Sequence, residues 1–254
     1  MQNWYNLPTY YDVSFSHEMS EELAFLKSVF NRHCKSSRPK LLEPACGTGR
    51  LIVPLIRAGY NCAGFDLNEN ALAYLKEKLN RNQLKANLFN GDMADFRIKA
   101  NEYDAAFCTV DTFRHLLTEK HAEQHLIKVS KALKKNGIYI LGLHLMPEKG
   151  ILNRVTCWTS KRGRLTVKTT MTMLELNKKK RTETLKVVLK PNIKKENHTS
   201  IYQLRTYSFK QLMRLIDRTS VFEVLSVYDE YYDISNPIIL NSKSEYAVLV
   251  LKKK

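Results

Sequence analysis

The segment Leu41-Leu42-Glu43-Pro44-Ala45-Cys46-Gly47-Thr48-Gly49-Arg50 runs from an apolar stretch into a turn of small residues and then into a helical pattern. Such a turn lets backbone approach a ligand closely and aims the free N–H groups of a helix start at it. Asp66 ends the next apolar run, 17 residues after Gly49, where a carboxylate accepts hydrogen bonds from both hydroxyls of a ribose. Gly91-Asp92-Met93 closes a third run with a second carboxylate, suitably placed for an adenine amino group. Singly, each glycine reads as an ordinary tight turn and each Asp as a helix N-cap. As a set at three successive strand ends they form a ligand-reading constellation, because open α/β sheets bind ligands there.

Those residues need a sheet to hold them. From residue 40 onward, short apolar runs alternate with longer amphipathic stretches, the pattern of a parallel sheet with crossover helices. Lys40 to Glu43, Cys62 to Asp66, Ala86 to Asn90, Tyr103 to Thr109 and Gly137 to Leu145 read as five strands. Helical spacing of Leu51, Leu55 and Ile56, of Leu72, Leu75 and Leu79, and of Leu126, Val129 and Leu133 marks the crossovers. Asn68 with Glu69 supplies an N-cap, and Asn136-Gly137 a helix C-cap signal. Glu21 to Arg32 forms an earlier amphipathic helix behind an aromatic leader with Trp4, Tyr5, Tyr10 and Tyr11. After the fifth strand the period changes to two. Leu165, Val167, Thr169, Met171 and Met173 alternate with polar residues, and Asn177 to Arg181 turns the chain into Thr182 to Leu189, followed by Ile201 to Tyr207. A helix at Ser208 to Asp217 and strands Phe222 to Tyr228 and Glu245 to Leu251 return the chain to the sheet. The expected division is a cap helix region at 1–36, a ligand-binding core at 37–149, an antiparallel β lid insertion at 150–207 and a completion of the core sheet at 208–254.

The composition, 44% apolar and 26% charged over 254 residues, excludes disordered and low-complexity classes. No apolar run approaches the roughly 18 residues that span a bilayer, and the start lacks a basic segment followed by an apolar one. The five cysteines contain no CxxC pair, so neither a disulfide framework, a zinc site nor another metal is expected, and a cytoplasmic protein is. The net charge of +16 is unevenly spread: residues 1–149 carry 20 basic and 16 acidic side chains, residues 150–206 carry 14 and 3. Lys178, Lys179, Lys180 and Arg181, with Lys194, Lys195, Arg162 and Arg164, read either as phosphate contacts or as a solvated hairpin tip that discourages edge pairing. The tip is the favoured reading, with nucleic acid kept as the lesser partner and the oligomeric state left open.

The first, second and third motifs, E-P-A-C-G-T-G from Glu43, Gly64-Phe65-Asp66-Leu67 and Gly91-Asp92-Met93, resemble those of the class I S-adenosylmethionine-dependent methyltransferases over residues 20–148 and in the final two strands. The resemblance implies an α/β fold, a seven-stranded Rossmann-like sheet whose last strand is antiparallel, here with an antiparallel β insertion after the fifth strand. It implies S-adenosyl-L-methionine as cofactor, with Glu43 and the Ala45, Cys46, Gly47 and Gly49 loop around its methionine portion, Asp66 and Leu67 at the ribose, Asp92 and Met93 at the adenine, and Thr109 beside them. Cys46 stands where many members have Gly. A nicotinamide dinucleotide is the rival ligand, but its fingerprint requires a third Gly where Ile52 stands, and Glu43 suits an ammonium better than a phosphate.

Thr109-Val110-Asp111-Thr112-Phe113-Arg114-His115-Leu116 is similar to the N-S-F-x-H-L segment of glycine N-methyltransferase-like small-molecule enzymes, with Asp for Asn. That likeness implies Asp111 and His115 as catalytic candidates facing the methyl acceptor, and Phe113 near the acceptor. Tyr11, Arg205 and Tyr207 occupy segments that cover cofactor and acceptor in similar enzymes. The function expected is methylation of a nitrogen or oxygen nucleophile on a small molecule. The alternatives are an RNA or protein methyltransferase using the basic insertion, and a non-catalytic S-adenosylmethionine-binding protein.

Overall fold

The structure, a computed structural model, describes residues 3–15, 19–147, 154–193 and 196–254. Seven strands form one sheet in the order β10-β11-β5-β4-β1-β2-β3, and four form a second in the order β6-β7-β8-β9. In the first, β1 (Lys40–Pro44), β2 (Asn61–Asp66), β3 (Asn87–Asn90), β4 (Tyr103–Cys108) and β5 (Leu133–His144) pair parallel, and β11 (Tyr246–Lys253) lies antiparallel between β5 and β10 (Phe222–Tyr228). Its central strands are apolar without alternation because helices cover both faces. Leu126 and Val129 of α5 (Glu119–Ala132) and Leu212 and Leu215 of α6 (Phe209–Thr219) pack on one side, while Phe25 and Val29 of α2 (Ser20–His33) and Leu72, Leu75 and Leu79 of α4 (Glu69–Arg81) pack on the other.

The expected core strands, crossover helices and returning strands are all present. Asn68 caps α4 by accepting from the Ala71 N–H at 3.1 Å. Asn136-Gly137 is not a helix C-cap: α5 ends at Ala132, and Asn136, at φ +61°, lies within β5 where its register against β4 jumps. A short left-handed residue before Gly serves an irregular strand as readily as a helix end.

The antiparallel insertion has one strand more than expected. Val155–Arg162 (β6) pairs with β7 (Leu165–Asn177) across a turn at Gly163, and β8 (Thr182–Pro191) and β9 (His198–Arg205) follow. β6 has little alternation to betray it, being exposed along most of its length. The aromatic leader is helical, a 3-10 turn at Trp4–Asn6 followed by α1 (Pro8–Ser14). Trp4 and Val13 pack against Val167, Val187 and Leu189, so the inner face of the second sheet is covered by the chain's own beginning. Asp12, 3% exposed, is hydrogen-bonded by Tyr74 at 3.0 Å and ion-paired to Lys78 at 3.0 Å and Arg162 at 2.6 Å, tying α1 to α4 and β6.

Candidate functional site

A cavity of about 710 Å³ opens where β1, β2, β3 and β4 end, between the large sheet, the leader and the second sheet. On its floor, β1 delivers Glu43, the turn delivers Ala45, Cys46 and Gly47, β2 delivers Asp66 and Leu67, and Asp92, Met93 and Thr109 follow the next two strands. The turn is held by Asp66: Oδ2 accepts the Gly47 N–H at 2.7 Å and Oδ1 the Asn68 N–H at 2.8 Å. Gly47 adopts φ +52°, backbone that a glycine takes without strain. Gly49 does not line the cavity. A Cβ there would collide with Leu75, so Gly49 is the place where the first helical turn meets α4. Cys46 is accommodated because Gly64 faces it, a Cβ there lying 2.9 Å from Cys46 Sγ and 2.5 Å from Ile52 Cδ1.

Charge is concentrated in this space. Burial raises the pKa of Asp66 against the backbone donors of Asn68 and Gly47. Burial pushes Glu43 well above the ordinary carboxylate value, opposed by Arg50 and reinforced by Glu22 and Asp66. Arg50 is already committed to Glu22, its Nη2 donating at 3.0 Å. Glu43 Oε2 and Thr48 Oγ1 are buried with no partner among the described residues. In a chain of net charge +16, this cavity is lined by Glu43, Asp66, Glu69, Asp92 and Asp111 against the single guanidinium of Arg50.

Above the floor the walls are aromatic and apolar. Trp4, Tyr5, Tyr11 and Phe15 come from the leader, and Met171, Leu185, Tyr202 and Leu204 from the second sheet. His115 faces this half: its Nε2 lies 2.9 Å from Tyr5 Oη and its ring stacks on Tyr202 at 5.8 Å between centroids. His115 is exposed to the cavity, and enclosure by the cavity walls, with a smaller push from Arg114, lowers it to about 4 against the attraction of Asp111. Asp111 borders the cavity, but its carboxylate is occupied: Oδ1 accepts the His144 N–H at 2.8 Å and pairs with Arg114 at 3.1 Å, and Oδ2 meets His144 Nδ1 at 2.8 Å. Burial works against its ionisation, yet Arg114 and His144 hold it well below the usual carboxylate range. The carboxylate expected to face the methyl acceptor has its charge spent inside the protein.

Three expected acceptor contacts lie elsewhere. Phe113 is fully buried between His125 and Tyr207. Arg205 follows Leu204 on β9, and strand alternation turns it to the opposite face, where it donates to the Leu117 carbonyl at 2.7 Å and pairs with Glu119. Tyr207 has no exposure and lies between the guanidiniums of Arg181 and Arg205, 5.3 and 5.6 Å from its ring. Tyr11 does line the cavity, its phenol pushed up to about 12 by burial. Tyr5 and Tyr202 were not among the expected contacts. The signal for Tyr202 is its period-two partnership with Leu204 and its register opposite Leu185.

The basic tip is smaller than its sequence suggests. Lys178, Lys179 and Lys180 are exposed, whereas Arg181 turns inward to Glu119 at 2.8 Å and Arg162 is held by Asp12. Lys194 and Lys195 lie outside the described residues. No group of three or more metal-ligating side chains occurs among the described residues, and no helix among them is long and apolar enough to cross a membrane.

Residues 41–137 match the methyltransferase domain family. Over 210 residues the chain is 22% identical to a Geobacillus sp. (strain WCH70) protein described as a methyltransferase, covering 83% of this chain and 84% of that one. It is 32% identical over 106 residues to a glycine/sarcosine N-methyltransferase of Parasynechococcus marenigrum (strain WH8102), 40% of this chain and 36% of the relative. Among solved structures, an S-adenosylmethionine-bound amino pentose methyltransferase from Micromonospora echinaspora superposes with a TM-score of 0.74 at 16% identity, covering 97% of each chain.

Proposed function

We propose that the chain is a class I S-adenosylmethionine-dependent methyltransferase and that it methylates an amine nitrogen on a small molecule, a reading supported by the methyltransferase domain match and the methyltransferase relatives. The observation that carries this reading is the neutral His115, paired with Tyr5, in an electronegative cavity with aromatic walls. An amine arrives as a cation, which the lining carboxylates Asp66, Glu69 and Asp92 and the faces of Tyr5, Tyr11 and Tyr202 attract. The names of the glycine/sarcosine and amino pentose relatives point the same way.

The cavity suits the cofactor. The unpartnered Glu43 Oε2 matches an ammonium, and Asp66 and Asp92 stand at the strand ends where ribose and adenine are read. When bound, the cofactor supplies a methyl group already activated on a sulfonium. The chain's own work is then alignment, exclusion of water and management of one proton. Tyr202, Leu185, Leu204 and Met171 roof the acceptor space. Tyr5 holds His115 at Nε2 and orients the ring, so the proton that the ammonium must shed before its lone pair can attack passes to the other ring nitrogen, Nδ1. Asp111 positions rather than reacts, because both its oxygens are engaged.

A methyl-transfer screen with tritiated S-adenosylmethionine against primary amines, their hydroxyl counterparts and bulk RNA tests the reading. Label on the amines is expected, and label on the alcohols or on RNA alone overturns it. Asp66→Ala is expected to weaken cofactor binding by about 1.5–3 kcal/mol through loss of charge-assisted hydrogen bonds, measured by titration calorimetry. Lys178, Lys179 and Lys180 are far in role from this chemistry, as a solvated hairpin end. Changing all three to Gln is expected to leave amine methylation unaltered. A parallel loss of activity and of salt-dependent RNA binding would instead favour the nucleic-acid acceptor.

A further inference from the structure

Between the acceptor space and the second sheet lies a buried charge cluster that the chemistry above does not use. Arg114 is 4% exposed and Glu183, on β8, 6%. The Arg114 guanidinium pairs with Glu183 through Nη2, with Asp111 through Nη1 at 3.1 Å, and donates from Nε to the Arg205 carbonyl on β9 at 2.9 Å. One side chain therefore grips the loop after β4 and two adjacent strands of the insertion. The fork of a guanidinium can reach these three acceptors together; an ammonium is a point charge that cannot.

The loop it grips is not relaxed. Val110 and Asp111 both hold left-handed backbone, at φ +53° and +67°, a conformation that is strained for non-glycine residues and persists only where surroundings enforce it. The enforcing contacts are the Arg114 N–H on the Asp111 carbonyl at 2.9 Å, the two His144 bonds to the Asp111 carboxylate, and the Arg114 side chain. His115 is the next residue of the same 3-10 turn, Thr112–His115, and on its far side it stacks on Tyr202 of β9. Leu204, adjacent to the Arg205 carbonyl that Arg114 grips, pairs with Glu183, and Tyr202 pairs with Leu185. The same two strands thus touch two consecutive residues at the end of the turn, Arg114 and His115.

We propose that Arg114 is a positioning residue through which the insertion sheet sets the alignment of His115, so that the roof is a working part of the acceptor subsite. The proposal rests on His115 as the proton acceptor, and its test separates the two. The groups facing the His115 ring are Asp111 and Arg114 from its own loop, Tyr5 from the leader and Tyr202 from β9. The ring is exposed only toward the cavity and the enclosing walls dominate its lowered basicity, so a ring that leaves those walls regains basicity.

Glu183→Gln and Arg114→Lys both keep the cation at position 114 while loosening the clamp. Glu183→Gln removes one negative charge, which by itself would lower the His115 midpoint, so a rise reports the position of the ring. The His115 ring resonances are followed by NMR from pH 3 to 8 in the full chain saturated with S-adenosylhomocysteine, beside thermal unfolding and methyl transfer to the best amine of the screen. In both variants the His115 midpoint is expected to rise from about 4 toward the ordinary imidazole range. Turnover is expected to fall by about 10- to 100-fold, with cofactor affinity within about twofold. An unchanged midpoint with unchanged turnover overturns the proposal, as does lost thermal stability with the midpoint intact, which would make Arg114 a structural staple only. If Arg114→Lys does not fold, Glu183→Gln, which retains shape and hydrogen bonding, decides alone. Full turnover in His115→Gln together with a moved midpoint in Glu183→Gln would refute the proton-acceptor role and leave the clamp standing.

Discussion

His115→Ala is expected to lower methyl transfer to the amine acceptor by about 10²- to 10⁴-fold, the range for losing a positioned proton acceptor, with cofactor affinity almost unaltered. The separation follows from placement. His115 lines the aromatic half of the cavity and bonds to Tyr5, whereas the expected cofactor contacts at Glu43, Gly47, Asp66 and Asp92 line the floor. An interaction made with the reacting nitrogen lowers the barrier without stabilising the cofactor complex, so kcat should fall while the calorimetric Kd holds. The pH profile carries a second signature. Because enclosure by the cavity walls lowers His115 to about 4, the acid limb set by the enzyme should lie near that pH and not near the usual imidazole value. Any acid limb at higher pH belongs to the amine's own ammonium. Tyr5 keeps its proton throughout, since burial raises its phenol well above the ordinary value, and Tyr5→Phe should cost less than His115→Ala. Equal losses of turnover and cofactor binding in His115→Ala would place the ring at the floor instead.

Much of this site is legible in the sequence alone. Glu43, Asp66 and Asp92 stand at the ends of apolar runs, and a parallel sheet brings successive strand ends together whatever the loops do between them. Gly49 was legible as a required glycine but for a different reason: its missing Cβ makes room for Leu75. What strand patterning cannot tell is which face of an inserted sheet meets the core and what covers it. Alternation groups Tyr202 with Leu204 and separates both from Arg205, but only the tertiary docking sends Leu204 to the cavity and Arg205 to Glu119. Asp111 illustrates a second limit. Its partners, His144 and Arg114, are a strand away and three residues away, and a carboxylate's charge is available to a ligand only if no neighbour has claimed it. The leader was legible as aromatic, yet its helical turns and its packing on Val167 and Val187 depend on an insertion more than a hundred residues later.

Glu43→Gln is expected to stabilise the unliganded protein at pH above the ordinary carboxylate value and at the same time to weaken the cofactor, two opposite effects with one cause. Its Oε2 is buried without a partner among the described residues, and burial raises its pKa well above the ordinary value despite Arg50. A raised carboxyl pKa means that the folded chain binds more protons than the unfolded one between the two pKa values. Stability contributed by this group is therefore complete below the unfolded value and declines as pH rises toward the folded one. Glutamine removes that decline, because an amide has no charge to desolvate. With the cofactor bound, the balance reverses. An ammonium against the carboxylate repays the desolvation, and losing that charge-assisted bond should cost about 1.5–3 kcal/mol of affinity. Thermal unfolding from pH 5 to 9, with and without S-adenosylmethionine, reads both effects in one experiment. The wild-type melting temperature should fall with pH more steeply than the variant's, and the cofactor-induced rise should be the larger in wild type. A Gln variant that is less stable without cofactor, yet responds to it equally, would mean that Glu43 is a structural group already satisfied by Arg50 and the Ile52 backbone, and that the ammonium is bound elsewhere on the cavity floor.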